Sequence, residues 1–311
     1  MSTTPFRKVL LIGATGSIGR YVLAGLISSP SLSVTILQRE SSSAKSSSTL
    51  PPSTPVITIP DSYPTSALVS AFRGHDAVIS CLTTLSITDQ FRFIDAAIEA
   101  GVRRYVPSEY GLNNMRADAQ ALCSVFRDKG AVQAYLREKA TEGKIEWMSV
   151  SCGMWLKWSM QNDFLGMRVK GEGKKEMTLW DGGEGRFSVT TEENTARAVV
   201  NSLVEAPEET KNRNVLVQDF IATQREVLRE IERQTGKKVV VDEIDAGERI
   251  RELQARLEKG AGQAVYGLIE AGFVTGKYGG DLEKEGEMLT DRLGLVKHSL
   301  EEVVADALAS L

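Results

Sequence analysis

The 311-residue sequence is poor in the side chains on which many enzymes depend. It has two histidines, His75 and His298, far apart in the chain, which argues against a zinc site and against a Ser-His-Asp triad. The three cysteines, Cys81, Cys123 and Cys152, are too few for a disulfide framework. None of them stands at a metal-ligand spacing, so no metal is expected. No apolar run reaches the roughly 18 residues that a membrane span requires. The start, Met1-Ser2-Thr3-Thr4-Pro5, has no secretory apolar stretch. Neither sign of charge dominates: 37 Lys+Arg stand against 41 Asp+Glu, net −4, so a nucleic-acid partner is not expected. What is present, 42% hydrophobic and 25% charged residues, is ordinary globular composition. These absences and this balance point to a cytoplasmic protein with a small-molecule partner, and they leave oligomerisation open.

The first third alternates between short apolar runs and amphipathic stretches. Strands are predicted at Lys8–Ile12, Ser33–Leu37, Val56–Ile59, Asp76–Ser80 and Arg104–Val106. The uninterrupted run Val9-Leu10-Leu11-Ile12 suits a parallel strand covered on both faces. Helices are predicted at Ser17–Ile27, Ser66–Phe72 and Asp89–Ala100, the last two closed by Gly74 and Gly101. This order implies right-handed crossovers and a doubly wound, Rossmann-type parallel sheet of the α/β class. Ser41–Pro55, with six serines among residues 41–48, reads as a loop. Further on, Cys123–Thr141 reads as a long helix and Ile145–Val150 as a sixth strand. Helices follow at Glu193–Val204, Gln224–Thr235, Gly247–Glu258 and Ser299–Leu308, with a short strand at Val215–Val217. The glycine-rich stretches 171–185 and 260–280 read as loops. The expected organisation is a dinucleotide-binding domain over 1–153 and a smaller, mixed substrate-binding or lid region over 154–311, some of whose segments pack back on the sheet.

Gly13-Ala14-Thr15-Gly16-Ser17-Ile18-Gly19 joins the first strand to the first helix. Its glycines permit a tight turn and let backbone N–H groups approach a pyrophosphate at the positive end of a helix. A glycine turn after a strand is common, but its place inside the first βαβ unit favours a dinucleotide site. At the end of the second strand an acid favours NAD, whereas an arginine suits the 2′-phosphate of NADP. Arg39 is the first charged residue there, and Lys45 and several serines lie just beyond. NADP(H) is therefore favoured, a solvated loop arginine being the alternative. Asp61 either borders the adenine pocket or caps the Ser62-Tyr63-Pro64 turn.

Taken with AFRGHDAVIS at 71–80, QFRFIDAAIEAG at 90–101 and above all VRRYVPSEYG at 102–111, these residues resemble the isoflavone reductase-like and NmrA-like branch of the atypical short-chain dehydrogenases. The resemblance covers roughly half the chain. It implies an NADPH-dependent reductase of a small, aromatic or conjugated metabolite, of the kind found in secondary metabolism. Relatives that bind NADP and regulate without turnover make a non-catalytic sensor the alternative. The family's catalytic lysine lies in a Phe-x-Asp-Lys run, matched here by Phe126-Arg127-Asp128-Lys129, so Lys129 is the implied acid–base group. A rival pair, Tyr135 and Lys139, fits the Tyr-x-x-x-Lys spacing of ordinary short-chain dehydrogenases, four residues apart on one helical face. The segment 112–122 lacks the histidine that plant members often carry, so the plant substrate class does not transfer.

In an open α/β sheet, ligands bind outside the carboxyl ends of the strands. Thr83, Ser108 and Tyr110 follow the fourth and fifth strands there. Gly153, Met154, Trp155 and Trp158 follow the sixth, where two tryptophans would suit a flat substrate or, equally, pack beneath a lid.

Overall fold

The computed structural model describes residues 4–42, 50–170 and 175–311. Its elements run β1 (Lys8–Ile12), α1 (Gly19–Ser28), β2 (Ser33–Arg39), β3 (Val56–Ile59), α2 (Thr65–Phe72), β4 (Ala77–Ser80), α3 (Gln90–Glu99), β5 (Arg104–Val106), α4 (Ala117–Leu122), α5 (Ser124–Thr141) and β6 (Glu146–Ser151). They continue with α6 (Leu156–Gln161), β7 (Met167–Arg168), β8 (Glu176–Trp180), β9 (Arg186–Val189), α7 (Glu192–Val204), β10 (Arg213–Leu216), β11 (Phe220–Thr223), α8 (Gln224–Thr235), β12 (Val240–Ile244), α9 (Ala246–Glu258), α10 (Ala264–Val274) and α11 (Leu300–Ala309). Two compact units are interleaved along the sequence. The first comprises Met1–Glu109, Ala131–Val150 and Thr195–Val215, the second Tyr110–Gly130, Ser151–Asn194 and Leu216–Leu311. No single boundary near 153 separates them: 110–130 leave the first unit, and 195–215 return to it with the last strand of its sheet.

The first unit is built on a seven-stranded parallel sheet in the order β3-β2-β1-β4-β5-β6-β10. That is the doubly wound order, with its switch between β1 and β4, extended by one strand. Register follows the buried runs, Val9 facing Val34 on one side and Ala77 on the other. Val9, Leu10, Leu11 and all of β4 are inaccessible to solvent, as helices on both faces require. A fully buried cation pins the far side of the sheet. Arg104, 0% exposed, donates to Glu146 at 2.8 Å, to the Pro207 carbonyl and to Thr210. Every polar neighbour of this guanidinium is supplied from within the unit, the condition under which burying it is tolerable.

The second unit has a three-stranded sheet, β7-β8-β12, and a two-stranded antiparallel ribbon, β9-β11. Two expectations fail here. Part of 171–185 is strand β8, and 260–280 contains the helix α10. In α10 the glycine serves close packing rather than chain breaking: a Cβ on Gly272 would stand 2.5 Å from the Phe126 ring. At the chain's end, Ser299 caps α11 reciprocally with Glu302. Just before it, Asp219 accepts from Asn194 at 2.6 Å and meets His298 at 3.0 Å.

Candidate dinucleotide site and active-site residues

The glycine turn is shaped by contacts that exclude side chains. Gly13 has φ +81°, and a Cβ there would fall 2.3 Å from the Cys81 carbonyl oxygen; on Gly19 it would fall 1.9 Å from the Gly13 oxygen. The turn closes through Gly16 N–H donating to the Gly13 carbonyl at 3.0 Å. No side chain caps α1, which starts at Gly19 rather than Ser17; the turn's own carbonyls serve instead, Gly16 accepting from Arg20 N–H and Ile18 from Tyr21 N–H. Gly13, Ala14, Thr15 and Gly16 line one cavity with Arg39, Gln38 and Ser42 from the end of β2 and Thr83 after β4. Of the expected cofactor residues, this cavity brings together Gly13, Thr15, Gly16, Arg39 and Thr83. Ser17, Ile18 and Gly19 do not line it, and Lys45 lies outside the described residues. Ser108, 4% exposed, donates its hydroxyl to the Leu82 carbonyl at 2.8 Å, and its N–H goes to Gln90; it holds the cavity wall rather than lining it.

Asp61 neither lines the cavity nor caps the Ser62-Tyr63-Pro64 turn. It accepts from Ser41 N–H at 3.0 Å, and its hydrogen bonds with Ser41 hold the carboxyl below its usual range. Tyr63, also a lining residue, went unmarked in the sequence. Burial pushes its phenol up, and Arg92 stands 5.8 Å from its ring. An aromatic residue just past the end of β3 is the signal that would have found it.

Lys129 lies on α5, within the second unit, half-buried and close enough to Cys123 to act on its thiol electrostatically. Burial pushes the Cys123 thiol up, and all three cysteines are buried thiols outside any disulfide. The packing behind Lys129 is tight: a Cβ on Gly130 would stand 2.6 Å from the Asn114 carbonyl. Tyr135 and Lys139, on the same helix but within the first unit, are otherwise engaged. The Tyr135 hydroxyl donates to Asp95 at 2.6 Å and its ring packs edge-on to Phe91. Burial and the Asp95 carboxylate push the phenol up to about 12, against the lysine's pull. Lys139 is paired with Glu138 at 2.8 Å and Glu142 at 3.3 Å.

Among the expected substrate residues, Tyr110 is buried with φ 38°. Met154, 4% exposed, is stitched into main-chain pairing with Ser188 and Thr190, and Gly153 presses on the Ser188 carbonyl. Trp155 and Trp158 are half-buried, Trp158 packing edge-on to Phe164 on the helix α6, which Lys157 ties to Asp306 of α11 at 2.5 Å. Met154 and Gly153 thus serve packing.

A profile of the NmrA-like family matches residues 5–299. The chain belongs to the NmrA-like family. The resemblance carried by the glycine loop and VRRYVPSEYG is upheld over nearly the whole chain. The NmrA-like chain is 34% identical over 302 residues to the oxidoreductase aprR of Aspergillus flavus, covering 97% of this chain and 98% of that protein. It is 27% identical to the oxidoreductase poxI of Penicillium oxalicum, over 95% of this chain and 92% of that one. Its fold matches AtPrR2 with NADP+ and (+)pinoresinol at TM-score 0.76 and 20% identity, covering 98% and 100% of the two chains. It also matches the binary complex of leucoanthocyanidin reductase with NADPH from Vitis vinifera at TM-score 0.77 and 17% identity, over 97% and 99%.

Proposed function

We propose that this protein is an NADP(H)-dependent reductase of a small aromatic or conjugated metabolite, with Lys129 as its acid–base group. The observation that carries the reading is the glycine cradle: a loop whose Gly13 and Gly19 have no room for a side chain, opening onto a cavity shared with Arg39. The Gly13–Gly16 turn, which leaves no room for a side chain at Gly13, would admit the pyrophosphate against its main chain, and the planar fork of Arg39 would meet the 2′-phosphate. When bound, NADPH supplies a hydride. The fungal relatives named oxidoreductases support the class, and the fold-related reductases with NADP+ or NADPH support the cofactor. Pinoresinol, in one of those structures, supports an aromatic substrate.

For Lys129 the support is the matched Phe126-Arg127-Asp128-Lys129 run, its half-buried place, and the commitment of the rival Tyr135 hydroxyl to Asp95. In that role the Lys129 ammonium would give its proton to a substrate oxygen as the hydride arrives at carbon. Titration with NADPH and NADH by nicotinamide fluorescence, followed by NADPH oxidation across carbonyls, enones and phenolic ethers, tests the proposal. Tight NADPH binding with turnover supports it. Tight binding without turnover across the whole panel favours an NADP-binding regulator, and no binding removes both readings.

A further inference from the structure

A second cavity, of about 420 Å³, lies wholly within the second unit and shares no residue with the glycine cradle. Its floor is one face of the small sheet. Alternate residues of β8 and β12 are in register there, Glu176 beside Val240, Thr178 beside Asp242 and Trp180 beside Ile244. Both intervening residues, Met177 and Leu179, are buried, and Met177 also reaches the lining while Leu179 does not. The wall is α10, which presents Gly267 and Glu270, one turn apart. This is a built concavity of ligand size, with an apolar portion and a few convergent polar groups.

The charges around it do not cancel. Asp163, Glu176, Asp242 and Glu270 line it against Arg168 and Arg249. Both arginines are drawn to acids, Arg168 to Glu176 at 3.5 Å and Arg249 to Glu252 at 2.5 Å, outside the cavity lining. Asp242 makes no ion pair among the described residues. The Glu270 carboxyl is part-buried and accepts from the Trp180 indole N–H at 2.7 Å and from the Gly166 main chain. The two donors fix its orientation, and among the described residues no Lys or Arg forms an ion pair with it. Among the described residues no group of three acids, histidines or cysteines is disposed to hold a metal ion. The Val240, Ile244 and Trp180 surfaces instead suit an organic group.

We infer that this cavity binds a small organic cation, a primary ammonium or guanidinium group on a short carbon skeleton, with Glu270 as its anchor and Asp242 as a second acid. The site goes beyond the reductase reading and does not depend on it. Its affinity follows the ionisation of Glu270. Burial pushes this carboxyl up to about 7, while the Trp180 and Gly166 hydrogen bonds and then Arg249 and Arg168 pull the other way. The facing acids Asp163, Glu176 and Asp242 add to the preference for a cation.

The test is calorimetric titration of the full-length chain with benzylammonium chloride and with agmatine, and with sodium benzoate as the anion of matched shape. Binding of the two amines is expected to be about tenfold tighter at about pH 8 than at about pH 6, as Glu270 passes from mostly protonated to mostly ionised. Benzoate should give no heat. Glu270→Gln should remove the pH dependence and leave the weaker affinity at both pH values. Asp242→Asn, on an exposed strand where folding is not at risk, should weaken binding a few-fold and keep the pH dependence. NADPH titration reports separately on the glycine cradle, so a failed reductase reading and a failed cation site are distinguishable. Benzoate binding as tightly as the amines, no amine binding at about pH 8, or amine binding that neither substitution alters overturns the inference.

Discussion

Alanine at Gly19 and alanine at Gly16 place the same methyl group on the same loop, and the structure predicts opposite failures. At Gly19 the new Cβ would stand 1.9 Å from the Gly13 carbonyl oxygen and 2.8 Å from its carbon. The obstacle is main chain, so no rotamer change relieves it, and the turn that carries Gly13 must move. Such overpacking costs about 3 kcal/mol at the upper end of the usual range. Replacing a helical glycine returns up to about 1 kcal/mol, since Gly19 is the first residue of α1. The net loss is about 2 kcal/mol. With an unfolding entropy of about 2.1 cal/mol/K per residue, a chain of 311 residues melting as one would lose about 3 °C. At Gly16 the nearest atom, again the Gly13 oxygen, is 3.3 Å away, which a shift of a few tenths of an ångström accommodates. Stability should change by less than about 1 kcal/mol, but the methyl group stands in the cavity lining. NADPH affinity should then fall by about 1–3 kcal/mol, or roughly 5- to 150-fold, the cost of crowding a fitted surface. Differential scanning calorimetry and NADPH titration on both variants separate the two effects. A Gly19→Ala protein that melts with the wild type, or a Gly16→Ala protein that binds NADPH as tightly, would refute the cradle argument.

Three further outcomes are expected. Arg39→Ala should weaken NADPH about ten- to a hundredfold and leave NADH nearly unchanged, the loss of a charge-assisted contact to the 2′-phosphate; equal dissociation constants for both cofactors in the wild type count against the assignment. Lys129→Met should lower turnover by about 10²–10⁴ with little change in NADPH affinity, whereas Tyr135→Phe should lose only its Asp95 hydrogen bond, about 0.5–1.5 kcal/mol of stability, and keep its rate; the reverse pattern moves the chemistry to Tyr135 and Lys139. Burial pushes the Glu146 carboxyl up, but hydrogen bonds from Lys211 and Arg104 outweigh it and hold it below its ordinary value of 4.5. Its contribution is therefore present above that value and lost as pH falls through the lower, folded one. Urea unfolding of Glu146→Gln should show a deficit at neutral pH that narrows in acid, and a deficit independent of pH contradicts the linkage.

The first unit was legible because its signals are local. A buried parallel strand reads as a mostly apolar run, and β1, β3 and β5 begin and end where the sequence places their strands. The start of α1 was misplaced by two residues because the turn through Gly13 and Gly16 uses Ser17 and Ile18 before the helix begins. Glycine misled the reading where its role is non-local. Gly272 is helical because Phe126, 146 positions earlier in the chain, needs the space, and no window around residue 272 contains that fact. Likewise β8 alternates in burial, with Met177 and Leu179 inward, but the glycines near it outweighed five residues of pattern. The candidate site divides in the same way. Gly13, Gly16 and Arg39 could be read from their place at strand ends, as Tyr63 past β3 could have been, whereas Tyr135 reaches Asp95 only through tertiary packing.

The interleaving of the units bears on which properties can vary independently. The cavity-lining loops after β1, β2 and β4 all belong to the first unit, and each leaves a strand whose neighbours on the sheet are fixed by register. Arg39 is exposed at the end of β2, so its replacement leaves the core untouched. The residues after β6 have no such freedom. Gly153 and Met154 carry main-chain bonds to Gly111 and Ser188, and Thr190 donates to the Cys152 carbonyl, so a substitution there disturbs the fold before it reshapes a pocket. Fold-related chains at 17–20% identity keep this architecture over 97–98% of the chain, so the fold tolerates replacement of most of its residues.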